Sequence, residues 1–123
     1  MIGGTGADSI LGSDDDDILV AGTTSYDNDP VSLNAILAEW NSSHTYANRI
    51  ANITGNNTNA SQFAARLNGN VFLHTGTGAT LFDDGARDVL TGGAGRDWFL
   101  FNSDVGVKDN VVDEGGNETG TDI

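Results

Sequence analysis

Gly3-Gly4-Thr5-Gly6-Ala7-Asp8-Ser9-Ile10-Leu11 is followed without a break by Gly12-Ser13-Asp14-Asp15-Asp16-Asp17-Ile18-Leu19-Val20, and the two segments align with a period of nine residues. The same register returns near the other end as Asp83-Asp84-Gly85-Ala86-Arg87-Asp88-Val89-Leu90-Thr91 and Gly92-Gly93-Ala94-Gly95-Arg96-Asp97-Trp98-Phe99-Leu100. In all four segments the sixth position is Asp (8, 17, 88, 97) and the eighth is a large apolar residue (Ile10, Leu19, Leu90, Phe99). The Gly- and Asp-rich half of each segment tolerates tight turns, and the other half has the alternation of a short strand that buries one side chain. Such a unit cannot cover its own apolar position, so the pattern predicts neighbouring turns of chain stacked on one another.

Outward from the first pair, Ala21-Gly22 begins a third segment, but Thr23-Thr24-Ser25-Tyr26 loses both Gly and Asp and the register stops. From Asp29 the period changes: Leu33, Ile36, Leu37 and Trp40 fall at the spacing of an amphipathic helix, with Asp29 as N-cap and Pro30 at the first helical position. A second helix is expected from Thr45 to about Ile53, with Tyr46, Ile50 and Ile53 on one face and Ser43 as a cap. A third is expected from Ser61 to Asn68, with Phe63 and Leu67 inward and Gly69 as its stop. Val71-Phe72-Leu73-His74 and Thr80-Leu81-Phe82, separated by the turn Thr75-Gly76-Thr77-Gly78, predict a small hairpin. After Phe101 an edge strand is expected over 110–112, followed by fraying. The organisation expected is N-terminal repeats over 1–22, a mainly helical insertion over 23–82 ending in a hairpin, C-terminal repeats over 83–100 and an acidic strand and tail over 101–123, all as one structural unit. The fold class expected is mostly β.

The formal net charge is −13, and residues 31 to 82 hold a single acid, Glu39, against Arg49 and Arg66, so the negative charge lies wholly in the flanks. Such self-repulsion opposes a compact state unless cations enter. With no Lys/Arg cluster and no basic helix, nucleic acid is excluded as a partner, and no apolar run is long enough for membrane insertion. The absence of Cys rules out disulfides and thiolate chemistry, and suits a protein exported unfolded. Met1 stands directly against a repeat, so the chain reads as a piece of a larger parent chain.

Ca²⁺ takes about six to eight oxygen ligands with loose geometry, mainly carboxylates and backbone carbonyls. A Gly-rich loop exposes its carbonyls and the Asp that closes it brings charge. Two such loops stacked one turn apart therefore make a cation site, and binding there becomes folding energy. Catalysis finds no support: no nucleophile stands with a base, and no Ser sits in a G-x-S-x-G turn. Trp40, on the helix stripe, and Trp98, beside a core position, read as packing residues; His44 and His74 lack a second ligand at zinc spacing. Several Asn-X-Ser/Thr triplets, such as Asn52-Ile53-Thr54, are accounted for by a composition rich in Asn, Ser and Thr.

Over Gly3 to Val20 and Asp83 to Leu100 the sequence resembles the RTX, or haemolysin-type, calcium-binding repeat proteins exported by type I secretion, and Asp83 to Phe99 resembles the closing segment of large secreted members. The resemblance implies a right-handed parallel β-roll, Ca²⁺ as cofactor, folding outside the bacterial cell, and secretion. Carried over by position, the carboxylate ligands are Asp8, Asp17, Asp88 and Asp97, and the loop carbonyls are those of Gly3, Thr5, Gly12, Asp14, Asp83, Gly85, Gly92 and Ala94. Ser13 and Asp15 in the second repeat, and Asp83, Asp84 and Ala86 in the third, stand where the family has Gly. The insertion also departs from an uninterrupted array, so the expected arrangement is a split roll: the N-terminal pair one coil, the C-terminal pair the next, calcium shared across the break. The function expected is a non-enzymatic, calcium-folded structural module. The alternatives are an adhesin-like or self-associating module that binds protein or carbohydrate through the insertion or the open roll ends, and the accessory tail of a secreted protease or lipase.

Overall fold

Each repeat turns through its Gly- and Asp-rich half and extends through its apolar half, and that alternation builds the first of two compact units. The computed structural model describes residues 1–123 as β1 (Ser9–Asp14), β2 (Ile18–Val20), β3 (Thr23–Thr24), α1 (Pro30–Trp40), α2 (Tyr46–Thr54), α3 (Ala60–Ala64), β4 (Leu81–Phe82), β5 (Val89–Ala94), β6 (Trp98–Phe101), β7 (Asn110–Val111) and β8 (Thr119–Asp122). One unit comprises Met1–Thr24 with Leu81–Ile123, the other Ser25–Thr80.

In the first unit, two parallel sheets have the orders β1-β5-β7 and β2-β6-β8. Ser9 pairs with Val89 and Ile18 with Trp98, the same offset along the chain in both sheets, so the two repeat pairs lie side by side as successive turns. A third turn follows: Val89 pairs with Asn110 and Trp98 with Thr119, again by one common offset. The four eighth-position residues Ile10, Leu19, Leu90 and Phe99 meet in one core with Ala21, and Phe101 and Val111 pack against it. The remaining residues of β2 and the first three of β6 are buried too, including Trp98, so these strands bury both faces rather than one side chain per repeat. Trp98 Nε1 donates to Thr121 Oγ1 at 2.9 Å, which ties β6 to the last strand.

The C-terminus differs from the fraying expected of it. Residues 119–122 form β8, anchored where Asp122 Oδ1 accepts from the Ser103 N–H at 2.8 Å and from its hydroxyl at 2.6 Å. The hairpin expected over 71–82 is also absent. Leu81–Phe82 pairs antiparallel with Thr23–Thr24, while Thr80 Oγ1 accepts the His74 N–H at 3.1 Å and donates to the Phe72 carbonyl at 2.6 Å. One backbone bond still joins the two arms, from the Thr80 N–H to the His74 carbonyl at 2.9 Å, and the Thr80 hydroxyl occupies the neighbouring backbone groups that a ladder would have paired.

The second unit begins with α1, capped by Asp29 with Pro at its start as expected. Its buried residues are Ile36, Glu39 and Trp40, whereas Leu37, expected on the apolar stripe, is 49% exposed. A buried acid displaces it: Glu39 accepts from the Leu67 N–H at 2.7 Å, from Asn52 Nδ2 at 2.8 Å, and faces His44 Nδ1 at 2.8 Å. Because the Leu67 backbone serves the carboxylate, α3 ends at Ala64 rather than Asn68 and the Leu67 side chain is exposed. Thr45, not Ser43, caps α2, its hydroxyl accepting from the Asn48 N–H. Trp40 and Tyr46 meet edge to face at 5.8 Å with the Arg49 guanidinium over the Trp40 ring at 4.7 Å, so Trp40 is the packing residue expected.

Candidate metal centre

The parallel register brings the sixth-position carboxylates of successive turns into two columns. The Asp8 N–H donates to Asp88 Oδ1 at 2.7 Å, and the Asp88 N–H donates to Asp109 Oδ1 at 2.9 Å. In the other column the Asp17 N–H donates to Asp97 Oδ1 at 2.8 Å, and the Glu118 carboxylate faces Asp97 from the third turn. Asp88 and Asp97 are fully buried. One oxygen of Asp88 and one of Asp97 are thereby engaged by the turn above, while Oδ2 of Asp8, Asp17 and Asp88 is buried and accepts nothing. A buried anionic oxygen without a partner costs several kcal/mol, about what makes such groups bind a cation or take up a proton.

The charges respond accordingly. Burial pushes the Asp88 carboxyl above the usual range, the Asp8 N–H opposes this, and the neighbouring Asp109, Asp84 and Asp8 carboxylates add to it. Burial likewise raises Asp97, against the Asp17 N–H and reinforced by Glu118 and Asp17. Burial raises Asp17 too; the Met1 ammonium pulls it back, and Asp15 and Asp16 push it up. Columns of like charge held up by burial are the electrostatic signature of a site completed by a positive ion.

The loop backbone is shaped around these oxygens. A Cβ at Gly3 would stand 3.0 Å from Asp8 Oδ2, one at Gly12 would stand 2.7 Å from Asp17 Oδ2, and one at Gly92 would overlap Asp97 Oδ2. The first position of three repeats is thus a cradle that any side chain would fill. Left-handed backbone at the second and fourth positions makes the turn in Gly4 and Gly6 and again in Gly93 and Gly95. The second repeat keeps that shape although Ser13 (φ 95°) and Asp15 (φ 70°) replace Gly. Each is held at a strain of about 1–2 kcal/mol. The third repeat does not keep it: only Gly85 is left-handed there, and Asp84 reaches across to accept from the Gly6 N–H while its other oxygen accepts from Ala86 N at 2.9 Å.

The residues singled out in the sequence therefore fall into two clusters. Asp17, Gly12 and Asp14 lie against Asp97, Gly92 and Ala94, with Ser13 paired to Gly93 and Asp14 to Ala94 so that the loops stack backbone to backbone. Asp8 lies against Asp88 through the Asp8 N–H and Asp84 reaches Gly6, while the Gly3 and Gly4 N–H groups donate to the Val20 and Gly22 carbonyls at 2.9 and 3.1 Å, with no strand register onto Asp83 or Gly85. The Asp83 side chain, not invoked in the sequence reading, accepts from Asn102 Nδ2 at 3.0 Å. No three acidic or imidazole side chains converge on one point, so carbonyl oxygens of the loops must supply most of any coordination shell.

Asp109 and Glu118 are the column members that sequence reading missed. The strand register that carries the second turn onto the third also carries Asp88 to Asp109 and Asp97 to Glu118, with Val111 two positions after Asp109 as in the other repeats. The nine-residue register hid them, because the link from the second turn to the third is longer than two repeats. Their roles differ from those of the earlier Asp residues. Asp109 Oδ2 accepts from the Asn102 N–H at 2.8 Å, so both its oxygens are engaged, and both oxygens of Asp113 accept from Gly92 and Gly93 N–H groups at 2.9 Å.

Residues 1–23 and 74–105, a little under half of the chain, match the family model of the RTX calcium-binding nonapeptide repeat in four copies. No curated protein and no solved structure matches the chain. RTX nonapeptide repeats bind Ca²⁺, and the orphaned Asp oxygens, glycine cradles and carbonyl-rich loops of this chain fit that ion.

Proposed function

From the premise that the chain carries four RTX calcium-binding nonapeptide repeats, we propose that it is a structural module whose repeats close into a short β-roll when calcium binds. The observation that carries this reading is the set of buried Oδ2 atoms of Asp8, Asp17 and Asp88 that accept no hydrogen bond. Asp8 and Asp88 with the carbonyls of Gly3, Thr5, Asp83 and Gly85 would hold one ion; Asp17 and Asp97 with those of Gly12, Asp14, Gly92 and Ala94 would hold another. When bound, calcium supplies the positive charge that lets these carboxylates stay ionised side by side. The residues do the rest: the Asp8 and Asp17 N–H groups fix one oxygen each of Asp88 and Asp97, the first-position glycines leave room, and the shared core of Ile10, Leu19, Leu90 and Phe99 forms only when the two turns are held together.

On this reading the ends of a chain interrupted by residues 25–80 are clamped into one body by the ions. With two carboxylates and otherwise backbone carbonyls for each ion, these sites belong to the weak range of about 10⁻⁴–10⁻³ M typical of extracellular modules. The proposal therefore places folding outside the cell, where calcium is abundant. Isothermal titration calorimetry of the full chain, with Trp98 fluorescence as a folding signal, tests it. Expected are two sites, heat that vanishes with chelator, and a gain in melting temperature with Ca²⁺. An unchanged melting temperature and no heat would sink the reading.

A further inference from the structure

We propose that Asn68 is a self-modification site of the second unit: Asn68-Gly69 converts to aspartate and isoaspartate when that unit opens, and the product bars it from closing again. The inference does not depend on the calcium reading. Asn68-Gly69 is the one Asn-Gly pair of the chain. In such a pair the backbone nitrogen of the glycine, with no side chain beside it to hinder approach, attacks the side-chain carbon of the asparagine. The bond from Gly69 N to Asn68 Cγ forms and the Cγ–Nδ2 bond breaks. The proton of the glycine nitrogen leaves with the amide nitrogen as ammonia. Water then opens the succinimide ring at either carbonyl, giving aspartate or its β-linked isomer, and is the only co-reactant.

The closed unit holds this reaction off. Asn68 is fully buried, and its Nδ2 donates to the Asn52 carbonyl at 3.1 Å and to the Val71 carbonyl at 2.7 Å, so the nitrogen that must leave is pinned by both its hydrogens. Attack would place negative charge on Oδ1, and that atom is buried and accepts no hydrogen bond. It is an oxyanion position without a donor, the reverse of the arrangement that lowers such a barrier. The Glu39 carboxylate adds to this, because the neighbours of Asn68 hold it: Asn52 Nδ2 donates to Glu39 Oε1 at 2.8 Å and the Leu67 N–H to Glu39 Oε2 at 2.7 Å. A carboxylate so placed opposes a second negative charge. Once the unit opens, water solvates Oδ1 and the side chain turns freely.

The same contacts decide what the product does. Aspartate at position 68 sets an oxygen where Nδ2 now meets two carbonyl oxygens at 3.1 and 2.7 Å, and adds a buried charge that no donor reaches. The isomer lengthens the backbone by a carbon inside a tight turn, which the Val71 N–H closes on the Asn68 carbonyl at 3.0 Å and Arg66 Nε closes on the Gly69 carbonyl at 2.6 Å. Either product removes the amide that ties residues 68–71 to α2 through the Asn52 carbonyl. The chemistry therefore makes an opening of the second unit permanent.

The test follows the unmodified full chain by peptide mapping with mass spectrometry at one pH and temperature, in calcium buffer and in urea sufficient to expose the α1 and α2 amides to exchange. Expected is conversion at Asn68 at least about tenfold faster in urea, a ratio set by how seldom the closed unit opens, with isoaspartate among the products. Asn68→Asp is expected to speed hydrogen exchange across α1 and α2 at least about tenfold, while calorimetric calcium uptake by the repeats stays as in the parent. Equal conversion in the two conditions would overturn the proposal, as would an Asn68→Asp chain whose α1 and α2 amides exchange at the parental rate. The conversion rates are read on the unmodified chain and decide the matter without the variant.

Discussion

Replacing Asp88 by Asn separates a calcium ligand from a packing residue, because its two effects have opposite sign. The amide oxygen can still accept the Asp8 N–H now held at 2.7 Å, so the coil-to-coil hydrogen bond survives. The charge does not, and with it goes the repulsion from Asp8, Asp84 and Asp109 together with the cost of burying an anion at a fully buried position. Against that relief stands a buried amide NH₂ in place of Oδ2, which costs about 1–3 kcal/mol if it finds no acceptor. In chelator the variant should therefore melt higher than the parent, relief of anion burial and of three neighbouring like charges outweighing the amide cost. With calcium the sign reverses. At a calcium concentration about 100 times Kd, one site stabilises the fold by about 2.7 kcal/mol. Removing a charged oxygen ligand should weaken the site about 100-fold, the upper end of what loss of an outer-shell partner alone does. About 0.4 kcal/mol of stabilisation is then left. The difference of about 2.3 kcal/mol corresponds to a loss of about 9 °C in the calcium-induced gain in melting temperature, at about 4 °C per kcal/mol. Differential scanning calorimetry of parent and variant, each with Ca²⁺ and with chelator, gives all four numbers. A variant that melts lower by the same amount in both conditions would show that Asp88 only packs, and would refute the assignment.

Further outcomes follow from other residues. Asp113→Ala removes the acceptor of the Gly92 and Gly93 N–H groups from an exposed carboxylate, so it should cost about 1–2 kcal/mol with and without calcium and leave calorimetric stoichiometry unchanged. Gly92→Ala places a methyl on Asp97 Oδ2 and the Phe99 ring, and should destabilise by about 1–3 kcal/mol or more while weakening calcium binding, read by the same melts and titrations. Glu39→Leu strips three contacts from the hub of the second unit and leaves one Asn52 amide N–H and the Leu67 N–H without their acceptor. A loss of about 3–5 kcal/mol is expected in that unit, seen as hydrogen exchange of α1 and α2 whatever the calcium level. The raised carboxyls of Asp17, Asp88 and Asp97 make the calcium-free repeats most stable when these groups are protonated, below their unfolded values, and that stability is lost as pH rises through the raised folded values. In chelator the melting temperature should thus climb as pH falls through the raised folded values toward the ordinary carboxylate range of about 4, and calcium affinity should fall over the same window; a chelated melting temperature that drops throughout would contradict it. Asp122, lowered chiefly by the Ser103 hydroxyl, works the other way, adding stability above its unfolded value that disappears only at more acid pH.

Local chemistry made much of the repeat unit legible in advance. A nine-residue recurrence of Asp at the sixth position and an apolar residue at the eighth states which side chains face the core and which carboxylates line up, because strand alternation and the glycine turns are properties of each segment alone. Asp29-Pro30 announced α1 for the same reason. What lay beyond local reading was partnership between distant segments. Thr80 spends its hydroxyl on the backbone that a hairpin needs, and Leu81–Phe82 finds Thr23–Thr24 instead. Glu39 turns α1 so that Leu37 faces solvent, which no hydrophobic period reveals, since the groups that hold the carboxylate come from residues 44, 52 and 67.

By itself, then, the sequence determined the repeat, its cation chemistry and the core positions, all of which depend on spacing within one repeat. Only the tertiary structure decided that the chain makes a third turn, through a register longer than two repeats, and that Asp109 and Asp113 spend their oxygens on N–H groups where Asp8, Asp17 and Asp88 keep one in reserve. The physical reason is that a carboxylate's role is set by which donors reach it. For Asp88 the donor, and for Asp109 one of its two donors, lies on another turn of the chain, at a distance along the sequence that no local pattern records.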